Sequence, residues 1–167
     1  AVDEAIDLNR QSGPAWAVRA RLLKNEPGRL EEALKAATHA VALGEPQVLL
    51  KAELFESLGR SEEAHSCLSD ALEKDPANAE IRAQLVLLQH QAGNPEAAFE
   101  ILAEAPAGAW KGPALHLQKG RLILAEADRY RDGTGERDRE LLSEADLSFE
   151  AALEADRESG VGWLGKA

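Results

Sequence analysis

Gly59-Arg60-Ser61-Glu62-Glu63-Ala64, continuing through Leu68 and Ala71 to Lys74-Asp75-Pro76-Ala77-Asn78, reads as a turn, a helix and a stop. Its landmarks return along the chain: Gly59 and Gly93, Ala64 and Ala98, Leu68 and Leu102, Ala71 and Ala105 each lie 34 residues apart. Ahead of the glycine, Ala52, Val86 and Gly120 keep the same 34-residue interval, at a site where a preceding helix needs a small side chain. A two-helix unit that recurs at fixed period has an apolar stripe too wide to bury within the pair, so neighbouring units must stack to cover it.

Paired helices at a 34-residue period, with small residues at these positions, resemble the tetratricopeptide repeat. The resemblance covers nearly the whole chain. It implies an all-α fold, a right-handed α-solenoid of antiparallel helix pairs whose first helices line a concave groove. It carries no particular activity, because the architecture hosts many unrelated functions.

Composition agrees with an all-α reading. The chain of 167 residues is 44% hydrophobic but only 4% aromatic, and Ala and Leu dominate, a mix suited to close helix packing. Alternating β-branched runs are missing. A net charge of −11 and a pI near 4.8 argue against nucleic acid or anionic membrane as partners, since both need clustered Lys and Arg. One cysteine, Cys67, excludes an internal disulfide and is expected as a small buried apolar residue. No apolar run approaches the roughly 20 residues that span a bilayer. A soluble protein is expected, cytoplasmic ahead of periplasmic, and the Ala, Leu, Arg and Glu richness resembles chains from GC-rich bacteria.

Measured against the opening stretch, residues 1–12 read as the end of a preceding repeat, and 13–44, 45–78, 79–112 and 113–159 as four repeats. In the first, Trp16, Ala20 and Leu23 share a helical face, and Ala33, Ala37 and Ala40 form the small stripe of the second helix. Its turn gains a residue at Pro27-Gly28, and its exit through Leu43-Gly44-Glu45-Pro46 is shortened. Ser61 and Asn94 are the expected N-caps of two second helices. Around Trp110, Pro106, Gly108, Gly112 and Pro113 break the chain, so Trp110 is expected to fold back onto the core. Ala145 lies 25 residues past Gly120 where 12 separate Ala64 from Ala52, which puts 13 extra residues into the last hairpin, near Tyr130. Phe149 and Ala152 keep that frame, and both helices should be extended. Residues 160–167 repeat the pattern around Trp16 and read as the start of a further repeat, which leads to the expectation of a piece of a longer array.

First-helix residues that point away from the Trp16, Ala20, Leu23 stripe should line the groove. These are Ala17, Arg21, Lys24 and Asn25, then Leu49, Glu53 and Glu56, then Ala83, Leu87, His90 and Gln91, then Leu117, Arg121 and Leu124. Apolar points beside basic ones suit an extended or helical peptide, with Arg21, Lys24 and Arg121 placed to hold its carboxylates. The alternative stays open that the leucines pack on adjacent helices and the charges are only solvated. A family subclass clamps a C-terminal carboxylate with Lys and Asn on successive first helices. That pattern fails here, since Ser57, Gln91 and Ala125 stand where companions of Asn25 would be. The charged tip between Ala127 and Leu141, with Tyr130, is the second candidate surface.

No catalytic or metal site is signalled. His39, His65, His90 and His116 have no paired ligand spacing, and Glu31-Glu32 and Glu62-Glu63 sit at helix starts where the dipole accounts for them. No cofactor is implied. The expectation is a non-enzymatic scaffold that binds a peptide or protein segment in its concave groove. The alternatives are a spacer or regulatory segment of a larger enzyme or cell-envelope secretion assembly, and self-assembly through open solenoid ends into a homo-oligomer.

Overall fold

The computed structural model describes residues 2–129 and 136–159, and every regular element among them is helical. The hairpin turn with Tyr130 and the segment 160–167, on which the sequence places a contact candidate and the start of a further repeat, lie outside the described residues. Two compact units divide the chain at Ala71 and Leu72. The first holds α1 (Val2–Leu8), α2 (Gly13–Lys24), α3 (Leu30–Ala42), α4 (Val48–Ser57) and most of α5 (Ser61–Lys74). The second holds α6 (Ala79–Gln91), α7 (Pro95–Ala103), a 3-10 turn (Ala107–Lys111), α8 (Pro113–Arg129) and α9 (Glu136–Ser159).

Within the first unit α2 lies against α1 and α3, and α3 against α4. Ala33, Ala37 and Ala40 of α3 are completely buried, as are Ala20 of α2 and Ala52 of α4, so methyl-sized contacts let the helix axes close up. The buried stripe of α2 is Gly13, Ala17, Ala20 and Leu23, so Ala20 and Leu23 hold the places read for them while Trp16 is only half-buried. Ala17 is 3% exposed and therefore leaves the groove list. Ala83 of α6 leaves it for the same reason, at 7%. Each belongs to a first helix covered on two flanks, which buries a wider arc than one stripe.

The glycine turns recur in geometry as in sequence. Gly59 and Gly93 take φ of 72° and 80°, and the residue after each donates back to the helix: Arg60 N–H to Phe55 O and Asn94 N–H to Gln89 O, both at 2.9 Å. That is a Schellman ending, which needs the left-handed conformation glycine tolerates. Between α2 and α3 the connection runs over 25–29, longer than 58–60 between α4 and α5, and Arg29 N–H reaches only Glu26 O.

Two caps differ from expectation. Ser61 is the first helical residue of α5, and Arg60 supplies the carbonyl that Ala64 N–H uses. Asn94 holds the cap position of α7, but its side-chain amide donates to Gln89 Oε1 at 3.2 Å and does not cap. Asn78 does cap, its Oδ1 accepting Ile81 N–H of α6 at 3.1 Å. Cys67 is half-buried and not part of the fully buried core.

In the second unit Ala83, Val86, Ala98, Leu102, Ala109, Leu115 and Leu122 form one cluster, and Trp110 packs against it from the 3-10 turn. α8 and α9, at 17 and 24 residues, are longer than the 14 of α5, and they lie against each other as a hairpin. Gly120 of α8 lies against the ring of Phe149 of α9, with no room for a side chain between them.

Candidate interaction surfaces

In the first unit the predicted groove residues are largely engaged with one another. Lys24 Nζ reaches Glu53 Oε2 at 2.6 Å, across from α2 to α4. Arg21 Nη2 donates to Oε1 of the buried Gln47 at 3.2 Å, and Asn25 Nδ2 donates to Arg21 O at 3.3 Å. Leu49 and Glu56 are half-buried. Two of the three basic points assigned to a partner's carboxylates are thus already held, Lys24 by a carboxylate and Arg21 by an amide oxygen.

The second unit is different. Leu117 and Leu124 of α8 are 38% and 37% exposed, and the exposed Arg121 stands between them on the same helical face. Arg121 makes no hydrogen bond or ion pair among the described residues. From α6, which packs on α8, come the half-buried Leu87 and His90 and the exposed Gln91. His90 Nδ1 is buried without a hydrogen-bond partner.

Sequence reading missed two clefts, each at the edge of one helix pair. In the first unit Trp16 and Arg19 of α2 face Glu32, Lys35, Ala36 and His39 of α3 around a cavity of about 350 Å³. Trp16 and His39 meet edge to face at 4.5 Å between ring centroids, the Arg19 guanidinium lies 5.5 Å from the indole centroid, and Trp16 Nε1 donates to Arg10 O at 3.0 Å. In the second unit His116 and Lys119 of α8 face Glu144, Leu147, Ser148 and Ala151 of α9, with Trp110 closing a cavity of about 420 Å³. Trp110 and His116 also meet edge to face, at 5.0 Å, and His116 Nε2 lies 3.0 Å from Trp110 O.

These clefts occupy the same place in two repeats. Trp16 and Arg19 precede and flank Ala20 as His116 and Lys119 do Gly120, and Glu32, Lys35, Ala36 and His39 stand about Ala33 as Glu144, Leu147, Ser148 and Ala151 stand about Ala145. The available signal was the column Trp16, Val48, Arg82, His116, four residues ahead of each small residue. Arg82 shows what the column does elsewhere. It is 5% exposed, and its Nη1 and Nη2 donate to Ile101 O at 2.8 Å and Pro76 O at 3.1 Å. Burial pulls its pKa below the usual guanidinium value, while Glu104 acts against that shift.

Among the described residues no three His, Cys, Asp or Glu side chains group to hold a metal ion, and no helix is long and apolar enough to cross a membrane.

Residues 55–122 match the tetratricopeptide repeat family. No curated protein matches the chain. Among solved structures, it is similar to MamA, with a TM-score of 0.63 and 13% identity over 96% of this chain and 87% of that one. It is also similar to human IFIT1, solved as a dimer with m7Gppp-AAAA, with a TM-score of 0.68 and 19% identity over 98% of this chain and 38% of that one. At such identities the likeness speaks for the fold.

Proposed function

We propose that this chain, a tetratricopeptide-repeat protein, is a non-enzymatic protein-binding scaffold that takes a peptide segment on the first-helix face of its second unit. The observation that supports the reading is Leu117, Arg121 and Leu124: two exposed leucines a little under two turns apart, with a guanidinium between them that has no partner among the described residues. Such a face offers two apolar anchors and one charge, the arrangement a short amphipathic segment bearing a carboxylate complements. The first-unit residues of the same predicted groove contribute less, because Lys24 must release Glu53 to bind anything else.

Protein is favoured over nucleic acid as the partner class. IFIT1 was solved with m7Gppp-AAAA, but here a net charge of −11 opposes general phosphate binding. The test is affinity capture with quantitative mass spectrometry, comparing the chain with Leu117→Ser/Arg121→Glu/Leu124→Ser at matched helicity. Selective loss of captured proteins is expected. An unchanged set overturns the reading.

Self-association is the second reading, and α9 favours it. Leu142 and Leu153, about three turns apart on one side of that helix, are 46% and 62% exposed. A mass that rises with concentration in ultracentrifugation, and falls back for Leu142→Glu/Leu153→Glu, is expected under it. A constant monomer mass removes it.

A further inference from the structure

We propose that the Trp16 cleft of the first unit is a binding site for an aryl anion, a phosphate carried on an aromatic ring. It is separate from the groove-facing side of α2, since Trp16 lies about 140° round the helix from Arg21, and Arg19 about 140° from Lys24. Three features of the cleft bear on this ligand class.

The floor is aromatic. Trp16 is held by its N–H bond to Arg10 O and by its edge-to-face contact with His39, and it lines a cavity of about 350 Å³. A planar ring gains most there, through offset stacking or an edge contact.

The rim is cationic in an acidic protein. Arg19 and Lys35 line the cavity against one carboxylate, Glu32, whose two oxygens already accept Nε and Nη2 of Arg29 at 3.2 and 2.7 Å. The hydrogen bonding from Arg29 is the main reason the Glu32 carboxyl is held below its usual range, and the charges of Arg29, Arg19 and Lys35 add to it. Lys35 is exposed and makes no hydrogen bond or ion pair among the described residues, so its ammonium is available to an incoming anion. Lys35 is thus the positive charge this cleft holds beyond those of Arg19 and Glu32, in a chain whose total is −11.

The equivalent cleft of the second unit is the natural contrast. There Lys119 is bound to Glu144 at 3.1 Å, and Leu147 and Ala151 replace Lys35 and His39. An indole and an imidazole are again present, from Trp110 and His116 at other positions, but no counterpart of Lys35 is. Of these two clefts, the one at Trp16 is therefore the better suited to an anion.

The experiment is a titration of the full chain with phenyl phosphate, followed by the indole N–H signals of Trp16 and Trp110 and the ring signals of His39. Saturable shifts at Trp16 and His39 are expected, with the Trp110 indole unmoved. Lys35→Gln, an exposed change, should weaken binding about threefold to fivefold. Inorganic phosphate and benzyl alcohol should each bind more weakly than phenyl phosphate, the first lacking the ring and the second the charge. Absence of a Trp16 shift overturns the proposal. So do equal shifts at both indoles, indifference to Lys35→Gln, or equal binding of either partial probe.

Discussion

Phe149 of α9 stands directly against Gly120 of α8: a Cβ on Gly120 would lie 2.7 Å from Cε1 of the ring and 2.8 Å from Cζ. Two effects of opposite sign therefore compete in Gly120→Ala. Helix propensity favours alanine by about 1 kcal/mol, while overpacking a closed contact costs about 1–3 kcal/mol. The ring must shift outward from a tight helix crossing, so a net loss of about 1 kcal/mol is expected. In a Phe149→Leu background the obstruction shrinks and the sign should reverse. Urea midpoints of the four proteins in the cycle measure it.

Arg82 gives a prediction of a different kind. Its guanidinium joins the turn before α6, at Pro76 O, to the last turn of α7, at Ile101 O, whose backbone carbonyl has no further helix to pair with. A positive group there also complements the helix dipole. Arg82→Met removes a buried charge but strands those carbonyls, and the second effect should win, at about 1–3 kcal/mol. Arg82→Lys should recover only part, because one ammonium lacks the planar fork that spans both acceptors. Amide exchange in the last turn of α7 should quicken in Arg82→Met before global unfolding does.

How much of this was legible in sequence follows from what each feature depends on. The period, the buried Ala33, Ala37 and Ala40, the small residue at Gly120 and the return of Trp110 to the core all depend on spacing along one chain, which sequence displays. Ala17 and Ala83 were misplaced because their burial depends on how many neighbours flank a first helix. The Trp16 cleft needs the rotation of α2 relative to α3, and no spacing within either helix encodes that. Arg82 was passed over because its partners are backbone carbonyls, which look alike at every position.

Arg60 and Glu63 set a pH dependence. Arg60 Nε donates to Glu63 Oε1 at 2.8 Å across the start of α5, and this bond is the main reason the Glu63 carboxyl is held below its usual range. A depressed folded-state pKa means that the unfolded chain binds its proton first as pH falls. The contribution is complete above the ordinary carboxylate pKa of about 4.3 and is lost as pH drops through the lower folded value. Arg60→Gln should raise the Glu63 midpoint in a carboxyl-resolved NMR titration. It should also flatten the fall of the urea midpoint over that acid window. An unchanged Glu63 midpoint counts against the assignment.

Gly59, Gly93 and Gly108 separate backbone conformation from crowding. None of the three would bring an added Cβ within 4 Å of another group, yet Gly59 and Gly93 have φ of 72° and 80° while Gly108 is not in the left-handed region. Space alone therefore predicts three neutral alanine substitutions, and conformation predicts two costly ones. An L-residue in the left-handed region costs about 1–2 kcal/mol. Gly59→Ala and Gly93→Ala should each lose stability of that order, and by similar amounts, because the 2.9 Å bonds of Arg60 and Asn94 N–H make the two turns the same motif. Gly59→Asn should lose less, since asparagine tolerates that conformation better than alanine. Gly108→Ala should sit within about 0.5 kcal/mol of the parent or slightly above it, through the reduced freedom of its unfolded chain. Equal costs at all three positions would show that the turn glycines are kept for something other than their φ.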